Sequence, residues 1–406
     1  MGIDYGSPFD QRTSPLNVRR QWRTWAGRFA SSAYAAHLDI EYNAIRNAVA
    51  VIDVSPLCKY HLSGPHAERL VDRVITRDAT AVQPGRVIYT PWCDSQGRLI
   101  DDGTVHRLDD GTWRWTAAEG QSRWLRLNAR GLDVTIEDQT DELAALALQG
   151  PLSRAVLEAA AQTSLAALPY FGRQQLRIGG IGLDVSRTGY TGDLGYELWV
   201  TPDQGLALWD ALAEAGAAFG LRPAGILALD VARIEAGLIM AGVDYTSVWH
   251  ALTPAQSYSP FELGLGRLVS LDKEVPFVGR TALRQEQRRG GPSRRLVGLD
   301  LDWQGLERLH ARHDLSAALS PEAWRDQIPV YRGGRQVGRA TSGTWSLVLK
   351  KNLALGTVEA RHAHVGTDLE MEWSLEGERG RVAARVVELP FFDPPRKRGS
   401  SAGPGA

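Results

Sequence analysis

The alternation of apolar and polar residues between positions 58 and 140 predicts a mixture of short strands and helices. The run "KYHLSGPHAERLVDRVI" (59–75) predicts a strand, a Gly-Pro turn and an amphipathic helix. Further runs predict strands at 85–92, 97–108, 112–118 and 132–139, with a helix at 120–130. Because helices do not regularly separate the strands, the order predicts an α+β domain and not a βαβ array.

A second α+β block follows from about residue 141. Its patterns predict a strand and turn at 143–151, a helix at 152–162, two strands joined by a loop at 174–200, and two helices at 203–220 and 223–237. In the last helix, Pro223 suits the first turn and Gly237 suits the position just past the end. Residues 38–53 also carry apolar residues at helical spacing.

The pattern becomes rich in strands from about residue 275. Gly333 and Gly334 separate two short apolar runs, which is typical of a β-hairpin. The insert at 302–326 looks helical or loop-like. We therefore expect an all-β C-terminal domain over 275–392, followed by a disordered tail over 393–406, which is basic and then rich in small residues.

Composition and charge exclude several classes of function. The 406 residues carry a formal net charge of −1, so no basic surplus favours nucleic-acid binding. The two cysteines, Cys58 and Cys93, form no C-x-x-C or Cys/His cluster, and the histidines lack the spacing of a helical metal site, so we expect no metal. The sequence has no long apolar span and no secretory signal at its start, which predicts a cytoplasmic protein without a membrane segment.

The most unusual stretch is "SRTGYTGDLGYELWV" (186–200), which has glycines three residues apart at 189, 192 and 195. It is neither a P-loop nor a dinucleotide fingerprint, because no Gly-Lys-Ser/Thr and no helix follow. One interpretation is an ordinary hairpin with positive-φ glycines. The other is a ligand site, because alternation puts Glu197 on the same strand face as Trp199, and a buried carboxylate needs a partner. In that interpretation Asp193 is the lesser acid, solvated in the turn.

Two further groups of acids are candidates. On a strand, Asp101 and Asp102 point to opposite faces, and Asp101 shares its face with Leu99 and Val105, so Asp101 is the better candidate for an inward acid. The alternative is a turn with solvated acids. Asp230 and Arg233 lie on one helix face, where an exposed ion pair is the usual interpretation.

These segments together resemble the glycine-cleavage T-protein (aminomethyltransferase) family and its folate-dependent demethylase relatives. The matching segments keep the family's order from about residue 40 to 390: "EYNAIRNAVAVIDVS", "GRVIYT…GRLIDDGTV", "LALQGP", "SRTGYTGDLGYELWV", "LDVARIEAG" and "ATSGTWSLVLKKNLALGTV". The resemblance implies a three-domain α+β cloverleaf around a central tetrahydrofolate cavity. We expect residues 1–55 plus 141–270 to form the folate-binding domain and residues 56–140 the second domain.

The resemblance also implies roles for single residues. Asp101 matches the family's catalytic acid and Glu197 the acid that grips the pterin ring, a suitable role because one carboxylate can accept from two adjacent N–H donors. Tyr89 and Tyr190 match aromatic folate contacts, and Leu57 lies where a folate-contact methionine is usual. On the matching helix, we expect Asp230 and Arg233 to contribute to the cofactor site.

Departures from the family pattern leave the substrate open. Leu229 replaces the usual arginine in "ALDVARIEAG", and "DVSPL" replaces "DVSHM". The leading hypothesis is a tetrahydrofolate-dependent transferase that moves a methyl or aminomethyl unit of a small-molecule donor or acceptor. The alternative is a T-protein that takes an aminomethyl group from a lipoyl carrier protein. A non-catalytic folate-binding protein is the weakest hypothesis, because "EAGLIMAGVDYTS" lacks the cysteine of that group.

Overall fold

The structure is a computed structural model that describes residues 6–317, 320 and 322–399. Its α-helices, α1 to α9 in chain order, are Asp10–Thr13, Leu38–Asn47, Ala67–Val74, Ser122–Asn128, Ser153–Ala161, Gly205–Gly216, Ile226–Glu235, Arg280–Arg288 and Trp303–Ala311. Its strands, β1 to β19, are Trp22–Trp25, Arg28–Ser31, Ala50–Asp53, Cys58–Ser63, Arg86–Cys93, Leu99–Arg107, Trp113–Ala117, Thr135–Asp138, Ala144–Gln149, Arg173–Ile178, Ile181–Ser186, Gly195–Val200, Arg222–Pro223, Arg294–Leu301, Ile328–Arg332, Arg335–Ser346, Lys351–Glu359, Asp368–Leu375 and Glu378–Val387.

Three larger sheets organise the chain. The first sheet has the order β10-β11-β12-β9-β3-β13, and it is antiparallel except where β13 runs parallel to β3. The second sheet has the antiparallel order β5-β6-β7-β4-β8. The third sheet closes into a barrel with the order β14-β17-β16-β15-β18-β19. This mixed architecture with a C-terminal barrel confirms the predicted fold class, and the domain boundaries stay a prediction.

The two faces of the first sheet enter different cores. Tyr196, Leu198 and Val200 pack into one core with α5 and α6, whereas Trp199 packs on the opposite side with α2 and α7. The alternation predicted for β12 is therefore confirmed. It places Glu197 on the face that carries Trp199.

One expectation about local structure was wrong. Residues 174–200 lie in three strands and not two, because the positive-φ pair Gly179 and Gly180 makes a tight hairpin between β10 and β11. In the strand-rich C-terminal region, α9 lies in the insert at 302–326, which agrees with the helical alternative for that segment. Sequence patterns missed the β1–β2 hairpin and the helix α8 before the barrel.

The predicted disordered tail is packed over its first residues. A short 3-10 helix at Pro395–Lys397 contacts the loop between β11 and β12, where Arg396 pairs with Asp193 at 2.7 Å. Arg187 donates to the carbonyl oxygens of Lys397 and Gly399 at 3.1 and 2.7 Å. The described tail is therefore held by charge and by backbone hydrogen bonds, and residues 400–406 lie outside the described residues.

Candidate functional site

Two adjacent acids on β6 form the centre of the candidate site. Asp101 is 1% exposed, and its carboxylate accepts from the backbone N–H groups of Asp102 at 2.8 Å and Glu119 at 3.1 Å and from Gln121 Nε2 at 3.2 Å. Burial, and then the charge of Asp102, raise the pKa of Asp101 well above its ordinary value. Asp101 therefore holds a proton to higher pH than an exposed aspartate would.

One tyrosine bridges the two acids, and a second holds Asp102. The Tyr245 hydroxyl donates toward Asp101 Oδ1 at 3.2 Å and also toward Asp102 Oδ1, and Tyr89 donates to Asp102 Oδ2 at 2.6 Å. Burial raises the pKa of Asp102, and the hydrogen bonds from Tyr245 and Tyr89 oppose that rise. Neighbouring residues of a strand point to opposite faces, but the Asp101 carboxylate accepts from the next N–H along the strand, that of Asp102, and the Tyr245 hydroxyl contacts both acids.

The glycine-rich loop approaches this centre from the first sheet. The Tyr190 hydroxyl donates to the carbonyl oxygen of Ile239, and the ring packs against the core that contains Trp199 and Leu229. Burial raises the pKa of Tyr190, Arg233 opposes that rise, and Asp102 adds to it. Since Tyr190 and Asp102 influence each other, the loop and the second sheet share one electrostatic environment.

The glycines of this loop serve packing more than turn geometry. A Cβ atom at Gly189 or Gly195 would lie 2.1–2.2 Å from the side-chain amide of Gln149, and one at Gly192 would lie 2.3 Å from the Cβ of Ala236. Of the three, Gly192 alone has a positive φ. The expectation of a plain hairpin with positive-φ glycines was therefore wrong, since the loop folds tightly over Gln149 and α7.

Asp193 was predicted to be solvated, but its side chain is fully buried. It pairs with Arg396 of the tail at 2.7 Å and lies 3.5 Å from Arg46. Arg46 also pairs with Glu235 at 2.6 Å. The acid therefore anchors the loop to the tail and α2, contacts that lie far from it in the sequence.

Glu197 is half-buried beside the second sheet. Its carboxylate accepts from the Thr188 hydroxyl at 2.5 Å, and burial raises its pKa, while Thr188, Ser186 and the charge of Arg114 oppose the rise. A carboxylate has about four lone-pair positions, so these contacts leave it able to accept further N–H donors. Leu57 is half-buried against the hydrophobic core on which Tyr190 also packs.

Asp230 and Arg233 form a buried pair and not the exposed one that is usual for this spacing. Both side chains are 0% exposed, and their atoms Oδ1 and Nε lie 2.7 Å apart. Asp244 pairs with the same guanidinium, and Arg325 reaches Asp230 at 2.6 Å from the segment before the barrel's second strand. The pair is buried because α7 is enclosed by α2 and the barrel strands β16 and β17.

Two guanidinium nitrogens of this group, Arg233 Nη2 and Arg325 Nη2, have no partner among the described residues. Arg233 Nη2 is buried and makes no hydrogen bond in the part of the chain that the structure describes. A buried, unpaired guanidinium N–H is costly, so it is a natural donor to an incoming oxygen or ring nitrogen.

The predicted residues thus fall into linked groups. Asp101 and Tyr89 are joined through Asp102 and Tyr245; Tyr190 and Leu57 pack on one hydrophobic core; and Asp230 and Arg233 influence Tyr190 from α7. Sequence patterns missed Tyr245 and Asp244, which lie in "GVDYT", where no periodicity marks them. Among the described residues, no helix has both the length and the apolar character needed to cross a membrane.

Two models of known protein families together match most of the chain. Residues 15–273 match the GCVT N-terminal domain, and residues 294–393 match the glycine cleavage T-protein C-terminal barrel domain. A crystal structure of the glycine cleavage system aminomethyltransferase T from Bartonella henselae has the same fold, with a TM-score of 0.80 and 22% identity over 97% of this chain and 99% of that one.

Two curated relatives are more similar in sequence. An aminomethyltransferase of Symbiobacterium thermophilum is 36% identical over 88% of this chain and 90% of its own length. A trimethylamine-oxide aldolase of Ruegeria pomeroyi is 38% identical over 88% of this chain but only 43% of its own length. The chain therefore spans less than half of that second relative.

Proposed function

The chain belongs to the glycine cleavage T-protein (aminomethyltransferase) family of transferases, and from that premise we propose that it is a tetrahydrofolate-dependent one-carbon transferase acting on a small-molecule donor or acceptor. The observation that carries the proposal is the pair of adjacent acids, buried Asp101 and half-buried Asp102, which two tyrosine hydroxyls hold in place. In a shared site with raised pKa values, one carboxyl group can hold a proton while the other stays ionised.

The residues present fit a folate. Glu197 retains lone pairs for the two adjacent N–H donors of a pterin, and Arg233 Nη2 is a buried donor without a partner among the described residues. Tyr190 and Leu57 supply half-buried surface for a flat ring. Bound tetrahydrofolate would supply N5, the nucleophile for the one-carbon unit.

The chain's own contribution is to orient the reactants and to manage a proton. We assign proton transfer to Asp101, because Gln121 and the Glu119 N–H fix its carboxylate and Tyr245 can exchange a hydrogen bond between it and Asp102. Tyr89 holds Asp102 from the other side. Water is excluded around Asp101, which strengthens each of these interactions.

The test is turnover with tetrahydrofolate and candidate methylated or aminomethylated donors, followed by quantification of one-carbon folate. Because positioned acids contribute about 10²–10⁴-fold, we expect Asp101→Asn to lose roughly that factor in kcat. The variant should keep its affinity for tetrahydrofolate in calorimetry, because the amide retains the shape of the carboxylate. Unchanged turnover in Asp101→Asn would contradict the assignment of the acid.

The second candidate is aminomethyl transfer from a lipoyl carrier protein. The near full-length similarity to the Symbiobacterium aminomethyltransferase favours it, whereas the similarity to the Ruegeria aldolase favours a small-molecule donor. Ammonia release from an aminomethylated lipoyl carrier, measured beside an authentic T-protein, separates the two. A rate comparable to the authentic enzyme would support the carrier-linked reaction in place of our first proposal.

A further inference from the structure

A small cavity lined by indole rings lies beside the C-terminal barrel. Four tryptophans contribute to its wall: Trp303, Trp324, Trp345 and Trp373. We call it the tryptophan cavity. Its volume is about 60 Å³, and the protein has 13 tryptophans in all. It is separate from the acid pair, which lies on the second sheet.

The fold holds the rings firmly. Trp345 lies on β16 and Trp373 on β18, and Trp303 begins α9, with its ring centroid 5.5 Å from that of Trp345 and the planes tilted by 55°. The partly buried Trp303 and Trp373 both pack against the small core under α9. The rings are therefore positioned by strands, a helix and a core.

The fourth ring depends on a glycine. Trp324 pairs with Gly343 of β16 through two backbone hydrogen bonds of 2.9 and 3.1 Å. A Cβ atom at Gly343 would lie 2.2 Å from the Trp324 ring. Only glycine therefore lets this indole approach the strand so closely beside the cavity.

The cavity wall includes one acid and one histidine. Glu322 lines it, and its carboxylate pairs with Arg19 at 3.3 Å outside the lining. His310 also lines it, and its Nδ1–H donates to the carbonyl oxygen of Leu306 at 2.9 Å. Among the described residues that line the cavity, none is a lysine or arginine.

We propose that the tryptophan cavity binds a small methylated ammonium cation. Indole faces attract cations without requiring a hydrogen-bond donor, and tryptophan is the strongest of the aromatic side chains in this respect. A trimethylammonium or tetramethylammonium group offers no N–H donor or only one, so it suits a wall of indole rings with a single carboxylate. At about 10–15 Å³ for each water-sized atom, the volume of about 60 Å³ admits roughly four to six heavy atoms.

The proposal goes beyond the folate site and does not rest on it. Its test uses the full chain without folate, with the indole N–H resonances observed by NMR while tetramethylammonium chloride is added at constant ionic strength. tert-Butanol, which is neutral and similar in size, is the matched probe. We expect saturable shifts of the cavity indoles with tetramethylammonium, and at least about fivefold weaker binding of tert-butanol.

Three variants make the test specific. We expect Glu322→Gln and Trp345→Leu each to weaken tetramethylammonium binding by about fivefold or more. Trp249→Leu is the control, because this half-exposed tryptophan packs against Trp124 in the second domain. Glu322 is 39% exposed, so its variant keeps the test open if Trp345→Leu does not fold.

Two results would overturn the proposal. One is tetramethylammonium binding no tighter than that of tert-butanol, which would mark the cavity as a plain apolar gap. The other is binding that Glu322→Gln and Trp345→Leu leave at the wild-type level, which would place the cation elsewhere. Neither result bears on tetrahydrofolate binding, so the two proposals fail or stand separately.

Discussion

Asp244 joins α7 to the barrel, and replacing it by asparagine tests whether Arg233 depends on that charge. The Asp244 carboxylate pairs with Arg233 Nη1 and accepts from the Met240 N–H at 2.9 Å. Its other oxygen accepts from the hydroxyls of Thr341 and Ser342 on β16, each at 2.7 Å. In Asp244→Asn the oxygen can keep Arg233 and Met240 while the hydroxyls rotate to accept, so the main loss is the negative charge.

The magnitude follows from complete burial of the pair. Both side chains are 0% exposed, and breaking a buried pair costs about 3–5 kcal/mol. Asp230 still pairs with Arg233, which places the expected loss near the lower end, about 3 kcal/mol. In a domain of about 150–250 residues, each kcal/mol corresponds to about 2–4 °C in Tm. A loss of about 3 kcal/mol should therefore lower Tm by roughly 6–12 °C.

The assay is thermal unfolding followed by circular dichroism, with Asp210→Asn as the matched control. Asp210 also pairs with an arginine at 2.8 Å, but its side chain is 52% exposed, so solvent screens the pair and Tm should stay at the wild-type value. If Asp244→Asn shifted Tm by no more than Asp210→Asn, the argument that Arg233 requires a second buried carboxylate would be refuted.

Two further predictions concern the acid pair and the glycine loop. The Tyr245 hydroxyl donates to Asp102 and thereby lowers the pKa of that acid. In a pH profile of kcat/KM, Tyr245→Phe should therefore move the inflection that reports the acid pair to higher pH. A shift to lower pH would contradict this. Gly195→Ala places a Cβ atom 2.2 Å from the Gln149 amide and should lower the free energy of unfolding by about 1–3 kcal/mol in urea titrations. Gly182→Ala, which meets no atom within 4 Å, should be neutral, and equal effects would refute the packing argument.

Local pattern predicted the strands and helices well where each element carries its own signal. Periodicity and turn residues predict the helix after Gly64, the strand that contains Asp101 and the hairpin at Gly333. The face alternation of β12 also held, because a strand with two covered faces has a fixed period.

What local pattern could not predict depends on partners distant in the sequence. The glycines at 189 and 195 looked like turn residues because the amide of Gln149, which they enclose, lies in another strand. Asp193 looked solvated because its partner Arg396 is about half the chain away. The Asp230–Arg233 spacing is the same for exposed and buried pairs, so only the enclosure of α7 distinguishes them.

The central claim is that Glu197 and the residues around it hold a folate. Calorimetric titration of tetrahydrofolate into the wild-type chain, Glu197→Gln and the exposed control Glu214→Gln tests it most directly. A hydrogen bond to a charged group is worth about 1.5–3 kcal/mol, so we predict wild-type binding that weakens by at least about tenfold in Glu197→Gln and is unchanged in Glu214→Gln. No heat of binding in the wild type, or equal affinity in Glu197→Gln, would contradict the account.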